Sequence, residues 1–171
     1  MINYYQEKQF VALVNEADQI INQAEKWLAH KNNLLHRGFT LIMSYNDNII
    51  FQHRNHPIFN RVFDMSFSSH QLFINHQLQT DKEAILNSLK REWRLNEEDL
   101  TRNFQFITKV RYQAYDPQSQ YWENEIDYVY KLQLKHPPVF NPDFAYQITF
   151  APQEPLAPWV QEIIKKTKLK F

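Results

Sequence analysis

The chain of 171 residues contains a single glycine, Gly38. Average usage of about 7 % would supply roughly a dozen. Glycine is the residue that lets a backbone wrap closely around a phosphate. With one glycine, neither a P-loop nor a dinucleotide-binding fingerprint can be written, and the nucleotide-binding folds built on those loops are excluded. Cysteine is absent, which removes disulfides, thiolate metal sites and a cysteine nucleophile. Lys plus Arg and Asp plus Glu both number 19, so the formal net charge is zero. That balance argues against a nucleic-acid partner, which selects a basic excess, and leaves room for a local basic pocket for a phosphorylated ligand. No apolar run approaches the roughly 20 residues that span a bilayer, so no membrane span is expected. Met1 to Phe10 is polar and lacks the apolar core of a signal peptide, so the expected location is cytoplasmic. The length suits one domain, and a 15 % share of aromatic residues points to a ring-rich core.

Hydrophobic spacing gives an order of elements. Phe10, Leu13, Val14, Ala17, Ile20, Ile21, Ala24 and Leu28 recur at intervals of three and four, which predicts a helix over Phe10 to Leu28. Residues 1–29 are therefore expected to form an N-terminal helical extension of a single domain spanning 1–171. Gly38 to Met43 and Ile49 to His53 read as strands around the turn Tyr45-Asn46-Asp47-Asn48, and Val62 to Ser68 as a further short strand. Thr80 with Glu83 matches a capping box, and Ile85, Leu86, Leu89 and Trp93 mark the apolar stripe of a helix over Asp81 to Leu95. Phe104 to Tyr115 and Glu125 to Leu134 read as strands joined near Asp116-Pro117, and Trp159 to Lys168 as a last helix. The order implies an α/β (α+β) fold: a mixed β-sheet sandwiched between helices.

Several polar residues stand where chemistry needs them. Glu92 is seven residues after Ile85 and three after Leu89, so it lies on the apolar face of its helix. A carboxylate there must be paired or metal-bound; a salt bridge to an Arg or Lys satisfies it equally well. Glu123 and Glu125 lie two apart on a strand and share one face. Neighbouring carboxylates raise one another's pKa and invite a divalent cation, unless they form a solvated strand edge. His30, His36 and His70 fall in connectors, and with two glutamates they would make a mixed nitrogen and oxygen site for Zn, Mn or Fe. His53, His56, His76 and His136 read as ordinary strand-end or loop residues. Tyr112 and Trp159 offer aromatic faces suited to a cation, or simply to packing.

In chain order these residues resemble type I isopentenyl-diphosphate isomerase, a branch of the Nudix superfamily. The similarity runs from about Ala24 to Phe171. It rests on Ala24-Glu25-Lys26-Trp27-Leu28-Ala29-His30, Leu35-His36-Arg37-Gly38-Phe39, Gln52-His53-Arg54, Ser66-Phe67-Ser68-Ser69-His70, Ala84 to Leu95 with Arg91-Glu92, Arg111-Tyr112-Gln113-Ala114, Glu123-Asn124-Glu125 and Leu156-Ala157-Pro158-Trp159. The resemblance implies a Nudix-type fold acting in isoprenoid biosynthesis on a small-molecule diphosphate; monomer and homodimer both stay open. It implies that His30, His36, His70, Glu123 and Glu125 bind one divalent metal, Mn²⁺ or Zn²⁺, and that Glu92 holds Mg²⁺ at the diphosphate. Lys26 and Arg54 would bind phosphate oxygens. Glu125, supported by Tyr112, would move a proton on one face of a five-carbon alkene, and Trp159 would stabilise the carbocation.

The chain departs from that pattern in places. Ser68 occupies the position of the family's acid–base cysteine, and a hydroxyl is a far weaker acid than a thiol titrating near 8.5. Gln71 replaces a proline, Ser88 a helix arginine, and Arg94 the glycine that ends the Nudix-type helix. The pyrophosphohydrolase box is also unmet, because Trp93, Arg94, Leu95 and Asn96 follow Glu92. Three functions therefore stand side by side: a metal-dependent isomerase slowed by Ser68, a Nudix hydrolase of a diphosphate compound, and a non-catalytic metal- or diphosphate-binding relative.

Overall fold

The structure, a computed structural model, describes residues 4–101 and 103–169. Its strands are β1 (Phe10–Val14), β2 (Ile20–Glu25), β3 (His36–Tyr45), β4 (Asn48–Ile49), β5 (Phe51–Arg54), β6 (Phe63–Met65), β7 (Phe67–Ser69), β8 (Phe73–Ile74), β9 (Gln77–Leu78), β10 (Gln105–Asp116), β11 (Tyr121–Gln133) and β12 (Ala145–Thr149). Its α-helices are α1 (Lys26–Lys31), α2 (Asp81–Trp93) and α3 (Pro158–Thr167), and single 3₁₀ turns cover Tyr4–Gln6 and Glu97–Asp99. The main sheet runs β10-β11-β3-β1-β2, with β4 and β7 also on β3. The β3–β11 pairing is parallel and the others are antiparallel, so the sheet is mixed. A second sheet orders β12-β5-β6, and β8 and β9 form a hairpin.

The alternation along β3 builds two cores. Phe39, Leu41 and Met43 face α2, where they pack with Ile85, Leu89, Trp93 and Phe67. Ile42 faces the other way, into a cluster with Val110, Val129, Phe51, Met65 and the α3 residues Trp159, Val160 and Ile163. Each fully buried aliphatic side chain contributes roughly 1.5–3 kcal/mol. The sandwich of a mixed sheet between helices matches the sequence expectation. So does α2, whose Thr80–Glu83 capping box is formed in both directions.

The helix expected over Phe10 to Leu28 is absent; two strands and the start of α1 replace it. The side chain of Asn15 accepts hydrogen bonds from the backbone N–H of Ala17 and of Gln19, both at 3.0 Å, and folds the chain back. Asp18 completes the turn at φ 60°. Val11, Ala12 and Val14 are buried, but Ile20 and Ile21 are 46 % and 64 % exposed, so the apparent helical stripe was a coincidence of two strands. Residues 10–25 are thus an edge hairpin of the main sheet and not a helical extension. Helix begins only at Lys26, where the Glu25 side chain accepts from Leu28 N–H at 2.9 Å.

The strand expected over Val62 to Ser68 is broken at Ser66, which sits at φ 57°. Its hydroxyl donates to Ile50 O at 2.8 Å and accepts from Met43 N–H at 2.7 Å. That corner carries the chain from β6 in the small sheet to β7 in the main one. With no glycine spare, twelve non-glycine residues among those described take left-handed backbone conformations, and five of them are Asn or Asp: Asp18, Asn33, Asn46, Asp47 and Asn75. Asn and Asp adopt that conformation most readily after glycine.

Candidate metal centre and anion pocket

Three elements meet at one end of the main sheet. His30 closes α1, His36 opens β3 and His70 follows β7. The parallel register sets Glu125 directly beside His36. The three imidazoles lie with ring centroids 4.7, 5.3 and 5.1 Å apart. One ligand atom each from His30, His36, His70 and Glu123 all fall within 4.8 Å of one another. His30 Nδ1 lies 2.9 Å from Trp122 O, and His36 Nδ1 lies 2.8 Å from Leu34 O. A carbonyl only accepts, so in each ring the hydrogen sits on Nδ1 and the lone pair on Nε2. Both Nε2 atoms, and Glu123 Oε2, are buried without a hydrogen-bond partner among the described residues. Buried lone pairs converging in this way fit a divalent cation with mixed nitrogen and oxygen ligands.

Glu125 borders this cluster. Its Oε1 accepts from His70 Nε2 at 2.9 Å and lies 3.2 Å from His36 Nε2; its Oε2 accepts from the Tyr112 hydroxyl at 2.8 Å. Burial pushes the Glu123 carboxyl well above the usual carboxylate range, with the charge of Glu125 adding to it. Glu125 is equally buried, but His70, which donates to it, holds it well below that range. Burial brings His70 down to about 4 and His30 well below the histidine range, so both rings are neutral and able to ligate. The Tyr112 hydroxyl is pushed well above 10 by burial and by Glu125.

The pocket above this floor is lined by Lys26, Arg54, Ser68, His70, Glu92, Tyr112, Glu123, Glu125 and Trp159, together with Tyr4, Tyr5, Gln52, His56 and Ser69. Every candidate site residue from the sequence thus lines it or lies in the cluster beneath. The glutamate pair is no solvated strand edge, since Glu123 and Glu125 are 4 % and 3 % exposed. Glu92 has the salt bridge considered for it, to Arg91 Nη2 at 2.6 Å, and still lines the pocket. Burial raises the Glu92 carboxyl, against the pull of Arg91.

Arg54 is buried, with Nη1 on Asp64 at 2.9 Å and Nη2 on Ile58 O at 3.2 Å, and its Nε is unpartnered. The Trp159 indole N–H donates to the other oxygen of Asp64 at 2.8 Å, its ring lies under Arg54 at 4.9 Å, and Tyr112 packs against it at 5.6 Å. Lys26 is 3 % exposed; Gln9 Oε1 at 3.5 Å is its hydrogen-bond partner, and no carboxylate pairs with it among the described residues. The rings of Trp27, Tyr4 and Tyr5 surround this ammonium at 4.7, 5.3 and 6.0 Å, so aromatic faces stand where a carboxylate would pair with it.

Ser68 lines the pocket with its hydrogen turned away. Thr40 donates its one hydroxyl hydrogen to Asp127 Oδ2 at 2.8 Å, so the 2.8 Å contact between Ser68 and Thr40 is donated by Ser68. Sequence reasoning missed Thr40, Asp64 and Asp127. Asp127 had a signal, because the alternation Glu123, Glu125, Asp127 continues on one face of β11. Asp64 showed only as a charge between Phe63 and Met65. His56, expected to be an ordinary strand-end residue, also lines the pocket.

No protein-family model matches the chain, and no curated protein matches it in sequence. Solved structures do match in shape, and the fold that they define is the Nudix fold. The DR0079 protein of Deinococcus radiodurans superposes with a TM-score of 0.66 at 16 % identity, over 92 % of this chain and 98 % of that one. A MutT Nudix hydrolase from Burkholderia pseudomallei superposes with a TM-score of 0.57 at 12 % identity, over 77 % of this chain and 96 % of that one.

Proposed function

We propose that the chain is a divalent-metal enzyme that interconverts isopentenyl and dimethylallyl diphosphate, with Glu125 moving the proton. One observation supports this above the rest. Glu125 touches two histidines of the cluster and the Tyr112 hydroxyl, on the floor of a pocket that also holds the unpaired Lys26 ammonium. An ion held by His30, His36, His70 and Glu123 would supply positive charge that favours the ionised carboxylate beside it; Glu92 would hold Mg²⁺ at the phosphates.

Lys26 and Arg54 bind the diphosphate oxygens, Arg54 through its free Nε. The five-carbon alkene then lies between Glu125 and Ser68. A proton from water on the Ser68 side adds to the terminal alkene carbon and gives a tertiary cation, and Glu125 takes the proton lost from the neighbouring methylene, so one proton enters and one leaves. Tyr112 holds Glu125 in place, and the Trp159 ring, fixed by Asp64, faces the cation. Ser68 is the weak partner, since its hydrogen is committed to Thr40.

Hydrolysis of a diphosphate compound is the second reading. It is favoured by the lost thiol at Ser68 and by the Burkholderia pseudomallei hydrolase in which the fold recurs. Against it, Glu92 is the one acidic residue of α2 that lines the pocket. The test follows both products in a single mixture of protein, Mg²⁺, Mn²⁺ and isopentenyl diphosphate in deuterated water. Dimethylallyl diphosphate carrying deuterium, lost in Glu125→Gln, supports the isomerase. Orthophosphate release without exchange replaces it with the hydrolase, and binding without either product makes the chain a non-catalytic relative.

A further inference from the structure

We propose that Arg91 and Lys26 together bind the terminal phosphate of the diphosphate, at the place where the ring of Tyr4 now lies. This rests on the diphosphate assigned to the pocket above and adds a ligand that neither the spacing nor the resemblance provides. The Tyr4 centroid lies 5.3 Å from Lys26 Nζ and 4.0 Å from Arg91 Cζ, so both cations look at one ring. A ring face is a weak substitute for an anion, attracting cations only through its quadrupole. A phosphate in its place would accept charge-assisted hydrogen bonds from both.

The Arg91 guanidinium is already fixed. Its Nη2 reaches Glu92 Oε1 at 2.6 Å, Ser88 Oγ at 3.0 Å and Ser69 Oγ at 3.4 Å, and its Nε is buried and unpartnered. Ser69 lies between Ser68 and His70, so the arginine is tied to the strand that carries the reacting end. Tyr4 packs on the rings of Tyr5 and Phe144, with centroids 5.4 and 5.7 Å away, contacts that a bound phosphate must outweigh. Its 3₁₀ turn, Tyr4–Gln6, has no buried residue. The pocket itself holds only about 20 Å³, but Tyr4 also borders an open cleft of about 490 Å³, beside Arg91 and Ser88, which is the space the ring would take when phosphate displaces it.

The test measures inorganic diphosphate binding to the full chain by calorimetry. Arg91→Gln is expected to weaken binding at least tenfold, with Arg91→Lys recovering part of the loss. Tyr4→Ala is expected to tighten it severalfold, a gain that disappears in the Tyr4→Ala/Arg91→Gln double variant. Thermal unfolding of each variant separates a lost ligand from a lost fold, and Arg91→Lys repeats the test if Arg91→Gln does not fold. Wild-type affinity in a folded Arg91→Gln, or weaker binding by a folded Tyr4→Ala, overturns the proposal. If Lys26→Gln loses binding and Arg91→Gln does not, this inference falls and the assigned diphosphate stands. If the wild type binds no diphosphate, both fall.

Discussion

Gly38 is the sole glycine because Glu125 lies across it. A Cβ built there would stand 2.1 Å from Glu125 Oε2 and 2.7 Å from its Cδ. Gly38→Ala should therefore push Glu125 off Tyr112 and His70, cost about 1–3 kcal/mol in denaturant unfolding, and remove activity. Arg94 shows the opposite situation. It caps α2 at φ 52°, a conformation that costs a side chain about 1–2 kcal/mol. Arg94→Gly should raise stability by about 1 kcal/mol, read from the urea midpoint. Ser68→Cys should raise the isomerisation rate by more than tenfold, since a thiol titrates nearer neutrality; an unchanged rate would remove Ser68 from the chemistry. At this scale much of the site was legible. Glu92 broke a helical stripe, and Glu123 with Glu125 shared a face. Asp64 was not legible, because its partners Arg54 and Trp159 lie ten and 95 residues away.

Elements were legible where local chemistry and period agreed. α2 had its cap, its stripe and its length in one segment. The β1–β2 hairpin lacked such agreement, since a period of three to four arose by chance across two strands. Tertiary contacts hold that hairpin. Asp18 in its turn binds Arg37, Lys109 and Tyr128, tying the edge to β3, β10 and β11. Burial works against the Asp18 charge, but hydrogen bonds from Lys109, Tyr128 and Arg37 hold its carboxyl below the usual range. A depressed carboxylate stabilises the fold fully above its unfolded pKa, near 3.9, and the contribution disappears as pH falls through the lower folded value. Stability should thus drop with acidification below about pH 4, and Asp18→Asn should flatten that slope. A slope equal to that of the wild type would show that these contacts do not hold the hairpin.

Across the whole molecule, the site is made by topology. His30, His36, His70 and Glu123 come from α1, β3, the end of β7 and β11, and no spacing in the sequence places them together. Their order along the chain was visible; the parallel β3–β11 register and the corner at Ser66 that unite them were not. Together these side chains are proposed to form one divalent-ion site. An ion that binds only the folded chain should raise its stability by about 2.7 kcal/mol at a hundredfold excess over Kd. The most direct measurement is titration of the chelator-treated protein with Co²⁺, read by visible absorption. One ion should bind per chain, with the ligand-field bands of a nitrogen- and oxygen-ligated site, and His36→Gln should abolish those bands while Lys26→Gln leaves them unchanged. A flat spectrum, or bands that survive His36→Gln, would contradict the proposed site.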